Sequence, residues 1–181
     1  MLNNIKNLDT SSGFTVLENG NVAVTVIVAG ELITKKSDIF SKLIGWYKRG
    51  RYYHVETIIG NNWISARTKD GVHIKQLEEL RSNYDYFTLD NIIVTIEQLE
   101  KIDRFLGSIK EAKYDWLGIF GAQILPLKYD DGKSYFCSEI SILLLQLFLV
   151  EPVLGLKSEE IDPNREIEII SKIASKIKSQ G

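Results

Sequence analysis

Tyr52-Tyr53-His54-Val55-Glu56-Thr57-Ile58-Ile59, then Gly60-Asn61-Asn62, then Trp63-Ile64-Ser65-Ala66-Arg67 decides how the chain is read. The outer runs are rich in aromatic and β-branched residues, and the middle run consists of turn residues. The stretch predicts an antiparallel hairpin. Side chains alternate between faces along a strand, so His54, Glu56 and Ile58 share one face. If Asn61-Asn62 is the loop, Glu56 opposes Arg67 and Ile58 opposes Ser65, and all of them join His54. A loop one residue longer changes the parity and removes Ser65 and Arg67 from that face. Two readings of Glu56 stay open: an acceptor that orients the His54 ring, or half of a cross-strand ion pair with Arg67.

Outward from this hairpin, the chain alternates strand and helix signals. Residues 14–29 alternate around Asn19-Gly20, which predicts a hairpin. Gly30-Glu31-Leu32-Ile33-Thr34 reads as a short strand. Ser37 is placed to cap a helix running to Lys48, with Ile39, Phe40, Leu43, Ile44 and Tyr47 on one face. Asp70-Gly71 is a turn before the strand Val72–Lys75, and Tyr84–Leu89 is another strand. Thr95 and Gln98 form a capping box for a helix over 96–111. Tyr114 opens a further helical segment, and Ser134 precedes a helix from Tyr135 to Leu149. Asp162-Pro163 starts a last helix striped by Ile167, Ile170, Ile173, Ala174 and Ile177. The fold class is α+β.

Composition narrows the function. The chain has 181 residues, 44% hydrophobic and 25% charged, with a net charge of −2. That is an ordinary globular domain. It lacks the basic excess of a nucleic-acid binder. One cysteine excludes an internal disulfide, and with two histidines it gives no metal-ligand pattern, so neither metal nor cofactor is expected. The longest apolar run, Ile140 to Val150, is too short to span a bilayer. With no signal-peptide pattern at the N-terminus, the expected location is cytoplasmic at synthesis.

Cys137 lies in Ser134-Tyr135-Phe136-Cys137-Ser138, at the start of an apolar helix. With Ser134 as N-cap, Cys137 is the third helical residue, surrounded by unpaired N–H groups and the positive end of the helix dipole. That environment favours thiolate. His54 can then activate it as a thiolate–imidazolium pair, oriented by Ser65 or Glu56. Taken singly, a lone cysteine in an apolar helix is more often a small buried hydrophobe.

As a set, these elements resemble a family. Gly30-Glu31-Leu32-Ile33, Tyr53-His54-Val55-Glu56, Ile64-Ser65-Ala66-Arg67, Asp70-Gly71-Val72, Lys113-Tyr114-Asp115-Trp116-Leu117-Gly118 and Phe136-Cys137-Ser138-Glu139 occur in that order. The chain resembles the circularly permuted papain-like hydrolases of the NlpC type, relatives of lecithin retinol acyltransferase that occur in bacteriophages and bacteria. The resemblance implies a small antiparallel barrel-like sheet with packed helices, His strand first and Cys helix last. It implies three segments: an N-terminal extension with a hairpin (1–27), the permuted domain (28–165) and a C-terminal helix (166–181). It implies Cys137 as nucleophile, with its backbone N–H at an oxyanion hole, and His54 as base. Relatives carry a third polar residue on the next strand; the matching position is Ser65, or Ala66 under a one-residue shift. Serine can hold a ring but cannot offset its charge. Tyr53, Tyr114 and Trp116 are candidate substrate walls.

The expected function is hydrolysis of an amide or ester in a peptide or acyl substrate. The competing reading is a catalytically silent fold that binds phage structural proteins and is carried in a virion. No nucleic-acid partner and no transmembrane segment are expected.

Overall fold

Val22, Val24, Val26 and Val28 are buried, while Ala23, Thr25 and Ile27 between them are half-covered. This alternation makes the central strand of a computed structural model that describes residues 13–34, 50–67, 71–110, 112–114 and 134–177. The helix expected from Ser37 to Lys48, the segment after Tyr114 that holds Asp115 and Trp116, and Asp70 lie outside the described residues. In chain order the elements are β1 (Phe14–Val16), β2 (Val22–Leu32), β3 (Tyr52–Ile59), β4 (Asn62–Arg67), β5 (Gly71–Gln76), β6 (Tyr84–Val94), α1 (Ile96–Ile109), β7 (Lys113–Tyr114), β8 (Ser134–Tyr135), α2 (Cys137–Leu147), α3 (Pro163–Ile170) and β9 (Ser175–Ile177). Short 3-10 turns at Glu151–Val153 and Ser158–Glu160 link α2 to α3.

The class is α+β. Seven strands form one antiparallel sheet in the order β5-β4-β3-β2-β6-β9, and β1 pairs with the first residues of β2. Those residues also pair with β6, so β1 and β3 lie end to end along the opposite side of β2. The expected barrel-like closure is corrected: β5 and β9 stand at opposite edges of the sheet, which is open. A barrel needs its outer strands to hydrogen-bond each other. Both boundaries expected at 27/28 and 165/166 fall inside elements, β2 and α3.

Three local expectations change. The Asn19-Gly20 hairpin has a longer loop: Leu17 N–H still pairs with Asn21 C=O, and Gly20 takes φ +80°. That is the three-residue loop with glycine in the left-handed region. Ser134 does not cap α2. It lies in β8, paired in parallel with β7, so Phe136 is the N-cap and Cys137 the first helical residue. The last helix stops at Ile170, and Ser175–Ile177 instead pairs with Tyr86–Thr88 of β6. An open sheet edge beside isoleucine-rich chain favours a strand there.

One face of the sheet (Val26, Val28, Val55, Ile59, Ile64, Ala66, Leu89) packs against Leu99, Ile102 and Leu106 of α1 and Ile140 and Leu144 of α2. The other face carries a smaller cluster of Ala29, Ile58, Trp63, Tyr84 and Tyr86. No helix among the described residues is long and apolar enough to cross a membrane.

Candidate active site

The hairpin pairs Thr57 with Ile64, Ile58 with Trp63 and Ile59 with Asn62, so the loop is Gly60-Asn61 rather than Asn61-Asn62. Gly60 has φ +58°, as the first position of a type II′ turn requires. The register moves by two residues, which keeps the parity: Trp63, Ser65 and Arg67 share the face of His54 and Glu56. Glu31 of β2 is directly opposite His54 and joins them.

On this face the polar groups converge on Glu56, which is 2% exposed. Trp63 Nε1–H donates to Oε2 and Ser65 Oγ–H to Oε1. Arg67 donates to Oε1 from Nε at 3.1 Å and from its terminal nitrogen at 2.9 Å. The same terminal nitrogen reaches Glu31 Oε2 at 2.9 Å, and Tyr84 O–H and Asn83 Nδ2–H also donate to Glu31. His54 Nε2 lies 3.1 Å from Glu56 Oε1 and 3.2 Å from Ser65 Oγ. Both readings of Glu56 therefore hold at once: it orients the ring and pairs with Arg67. The charge that Ser65 cannot supply comes from Glu56 on the same strand as the histidine.

Cys137 acts on the same ring. The β3–β4 register covers only Thr57–Ile59. Beyond it, the Val55 N–H on β3 and the Ser138 N–H of α2 act on the Cys137 sulfur and favour its charged form. The thiol and the His54 ring each favour the charged form of the other. Glu139 Oε2 folds back to accept from Phe136 N–H at 3.3 Å, which pins the start of α2. Cys137 is 6% exposed and His54 5%.

The titrations follow from these contacts. Burial alone would raise the Cys137 thiol, but the His54 charge and hydrogen bond, with the Val55 and Ser138 N–H groups, hold it below the usual thiol range. Burial alone would lower His54; Cys137 and then Glu56 outweigh it and push the ring up to about 9. Burial opposes ionisation of Glu56, yet His54, Arg67 and Ser65 hold it well below the usual carboxylate range. Each shift favours the charged form of its group, and the two titrate as a pair.

The structure thus brings Cys137, His54, Glu56 and Ser65 together. The Tyr53 ring centre is 6.5 Å from that of His54. Tyr114 is described only by its backbone, in β7, and Trp116 lies outside the described residues. Glu31 and Tyr84 were missed; a lone acid in the apolar run Val22–Leu32 was the available signal. A cavity of about 630 Å³ opens beside Glu56, Trp63, Arg67 and Lys75, with the Arg81 guanidinium 4.7 Å from the Trp63 ring centre. No three His, Cys, Asp or Glu side chains among the described residues are grouped to hold a metal ion. Comparison with known proteins finds no match to this chain among family models, curated proteins or solved structures.

Proposed function

We propose that this chain is a cysteine hydrolase of the permuted papain-like kind, cleaving an amide or ester bond in a peptide or acyl substrate. The observation that carries this reading is the mutual action of the Cys137 thiol and the His54 ring at a helix N-terminus, with the Glu56 carboxylate 3.1 Å from the ring's Nε2. Cys137 thiolate attacks the carbonyl carbon, and the carbonyl π electrons move to oxygen. The developing oxyanion is met by the Cys137 backbone N–H at the start of α2. As the oxyanion collapses, the bond to the leaving amine or alkoxide breaks and the His54 imidazolium supplies its proton. Neutral His54 then takes a proton from water, which attacks the thioester and releases acid and thiolate. Glu56 and Ser65 keep the ring in place through both halves.

The silent-scaffold reading is favoured by one observation, the 6% exposure of Cys137. One experiment separates them. Purified chain is incubated with peptidoglycan fragments and with acyl esters, and products are followed by mass spectrometry. Hydrolysis by the wild type, lost in Cys137→Ser with an unchanged circular dichroism spectrum, supports the enzyme. Hydrolysis retained in that variant refutes nucleophilic catalysis, and no hydrolysis with an inert thiol favours the scaffold.

A further inference from the structure

The helix α3 is fixed at its start by its N-cap: Asp162 accepts from the Asn164 and Arg165 N–H groups, and Pro163 occupies the first turn. From that turn Asn164 reaches β3. Its Oδ1 accepts from Tyr52 N–H at 2.9 Å, and its Nδ2 donates to Tyr52 C=O at 2.8 Å. The side chain satisfies both backbone groups of Tyr52 as a neighbouring strand would, two residues before His54. Gly50 lies against this amide, where a Cβ would come within 2.1 Å of it.

Glu166, one position beyond Arg165, is fully buried. Its Oε1 accepts from Ser141 Oγ–H, and Ser141 Oγ accepts from Thr57 Oγ1–H at 2.8 Å. Ser141 sits one helical turn after Cys137. Thr57 is the next residue on the same strand face as Val55, whose N–H acts on the sulfur. Glu166 Oε2 is buried without a partner among the described residues. A buried carboxylate with an unpaired oxygen is far more costly than a neutral acid. Burial first, and then the negative charge of Cys137, raises Glu166 well above the usual carboxylate range, against the opposing charge of His54.

We propose that α3 is the positioning element of the Cys137–His54 pair, with Asn164 holding the His54 strand and Glu166 tying the Cys137 helix, one turn in, to that strand. The proposal rests on the thiol chemistry argued above. Glu166 does this uncharged: a second negative charge beside the thiolate would oppose it. The titratable groups that act on Glu166 are Cys137 of α2 and His54 of β3.

The test uses the full chain, whose single cysteine makes alkylation unambiguous. The iodoacetamide rate is measured against pH for the wild type, Asn164→Ala, Glu166→Gln and Glu166→Leu, with melting curves to establish folding. The wild type and Glu166→Gln share a midpoint below that of free cysteine. Asn164→Ala and Glu166→Leu raise it by about one pH unit, which is about tenfold less thiolate below the midpoint. Wild-type midpoints in folded Asn164→Ala and Glu166→Leu overturn the proposal, and so does a lower midpoint in Glu166→Gln. If Glu166→Leu does not fold, Asn164→Ala decides alone. A wild-type midpoint equal to that of free cysteine overturns the thiol chemistry itself, and the positioning role with it.

Discussion

Replacing Glu56 with glutamine keeps the side-chain volume and removes the charge at the centre of the cluster. Four neighbours point hydrogens at the two carboxylate oxygens: Trp63 at Oε2, and Ser65, Arg67 and His54 at Oε1. Glutamine offers one acceptor oxygen, and its nitrogen only donates. With the oxygen kept at the crowded Oε1 position, the amide NH₂ faces the Trp63 indole N–H, donor against donor. Removing one partner of a buried ion pair costs about 3–5 kcal/mol. The Arg67 side chain is 31% exposed and retains Glu31, which favours the lower end. About 3 kcal/mol lowers Tm by about 6–12 °C for a domain of this size. His54 responds separately. It stands at about 9, and Cys137 contributes more to that than Glu56 does. Loss of the carboxylate therefore lowers it by about one unit. The folded value is above the unfolded one, so the stability that His54 contributes is complete below about 6.5 and disappears as pH rises through about 9. In Glu56→Gln that loss comes near pH ~8. Melting curves from pH 6 to 10, with an NMR titration of the His54 ring, read both effects. A folded variant with unchanged Tm, or one whose ring still titrates near 9, refutes the role assigned to Glu56.

Turnover rises with pH as Cys137 ionises and falls through about 9 as His54 loses its proton, because the leaving group then has no acid. Alkylation of the thiolate does not fall there, and parallel falls in both rates would point to unfolding instead. In Cys137→Ser the ring loses its largest charge partner and titrates below its wild-type value by NMR; an unchanged value would mean that the two side chains do not interact. Thr95→Ala removes the hydroxyl that caps α1 at 3.2 Å. It costs about 1 kcal/mol, or about 2–4 °C in Tm, with the alkylation profile intact; an unaltered Tm would show that the cap contributes nothing.

The strands of the hairpin at residues 52–67 were legible from residue type, whereas the loop left their parity open and packing decides it. Trp63, Ser65 and Arg67 alternate with Ile64 and Ala66, and only one parity buries the apolar pair against α2. The loop could move by two residues without changing the faces, so an error in its position left the site intact. Helix starts were less legible. Ser134 is a good N-cap by residue type, but the pairing of β8 with β7 takes it into a strand. Phe136 replaces it, and a residue without a capping hydroxyl gives no local signal. The end of the last helix was misread because the isoleucine spacing suits either structure, and an unpaired edge of β6 decided the outcome. Glu166 was open to detection: Pro163, Glu166, Ile167 and Ile170 fall at helical spacing, which puts an acid on the buried face of α3.

The chemistry of His54 depends on which ring nitrogen carries a proton, and the cluster determines it. Arg67 spans Glu31 and Glu56, and its charge helps to keep Glu56 ionised. Glu56 Oε1 is then an acceptor only. Ser65 donates its single hydrogen to that oxygen, which leaves the hydroxyl as an acceptor as well. Nε2 faces Oε1 and Oγ, and neither has a hydrogen to give it. Nε2 must therefore hold a proton in both charge states of the ring. The nitrogen that gains and loses one is Nδ1, the side left for the thiol. A glutamate that were protonated, or a serine hydrogen turned toward the ring, would place the exchangeable proton on the wrong nitrogen. The arginine two residues along β4 from Ser65 thus acts on the cysteine without touching it, by keeping an acid ionised and a tautomer fixed.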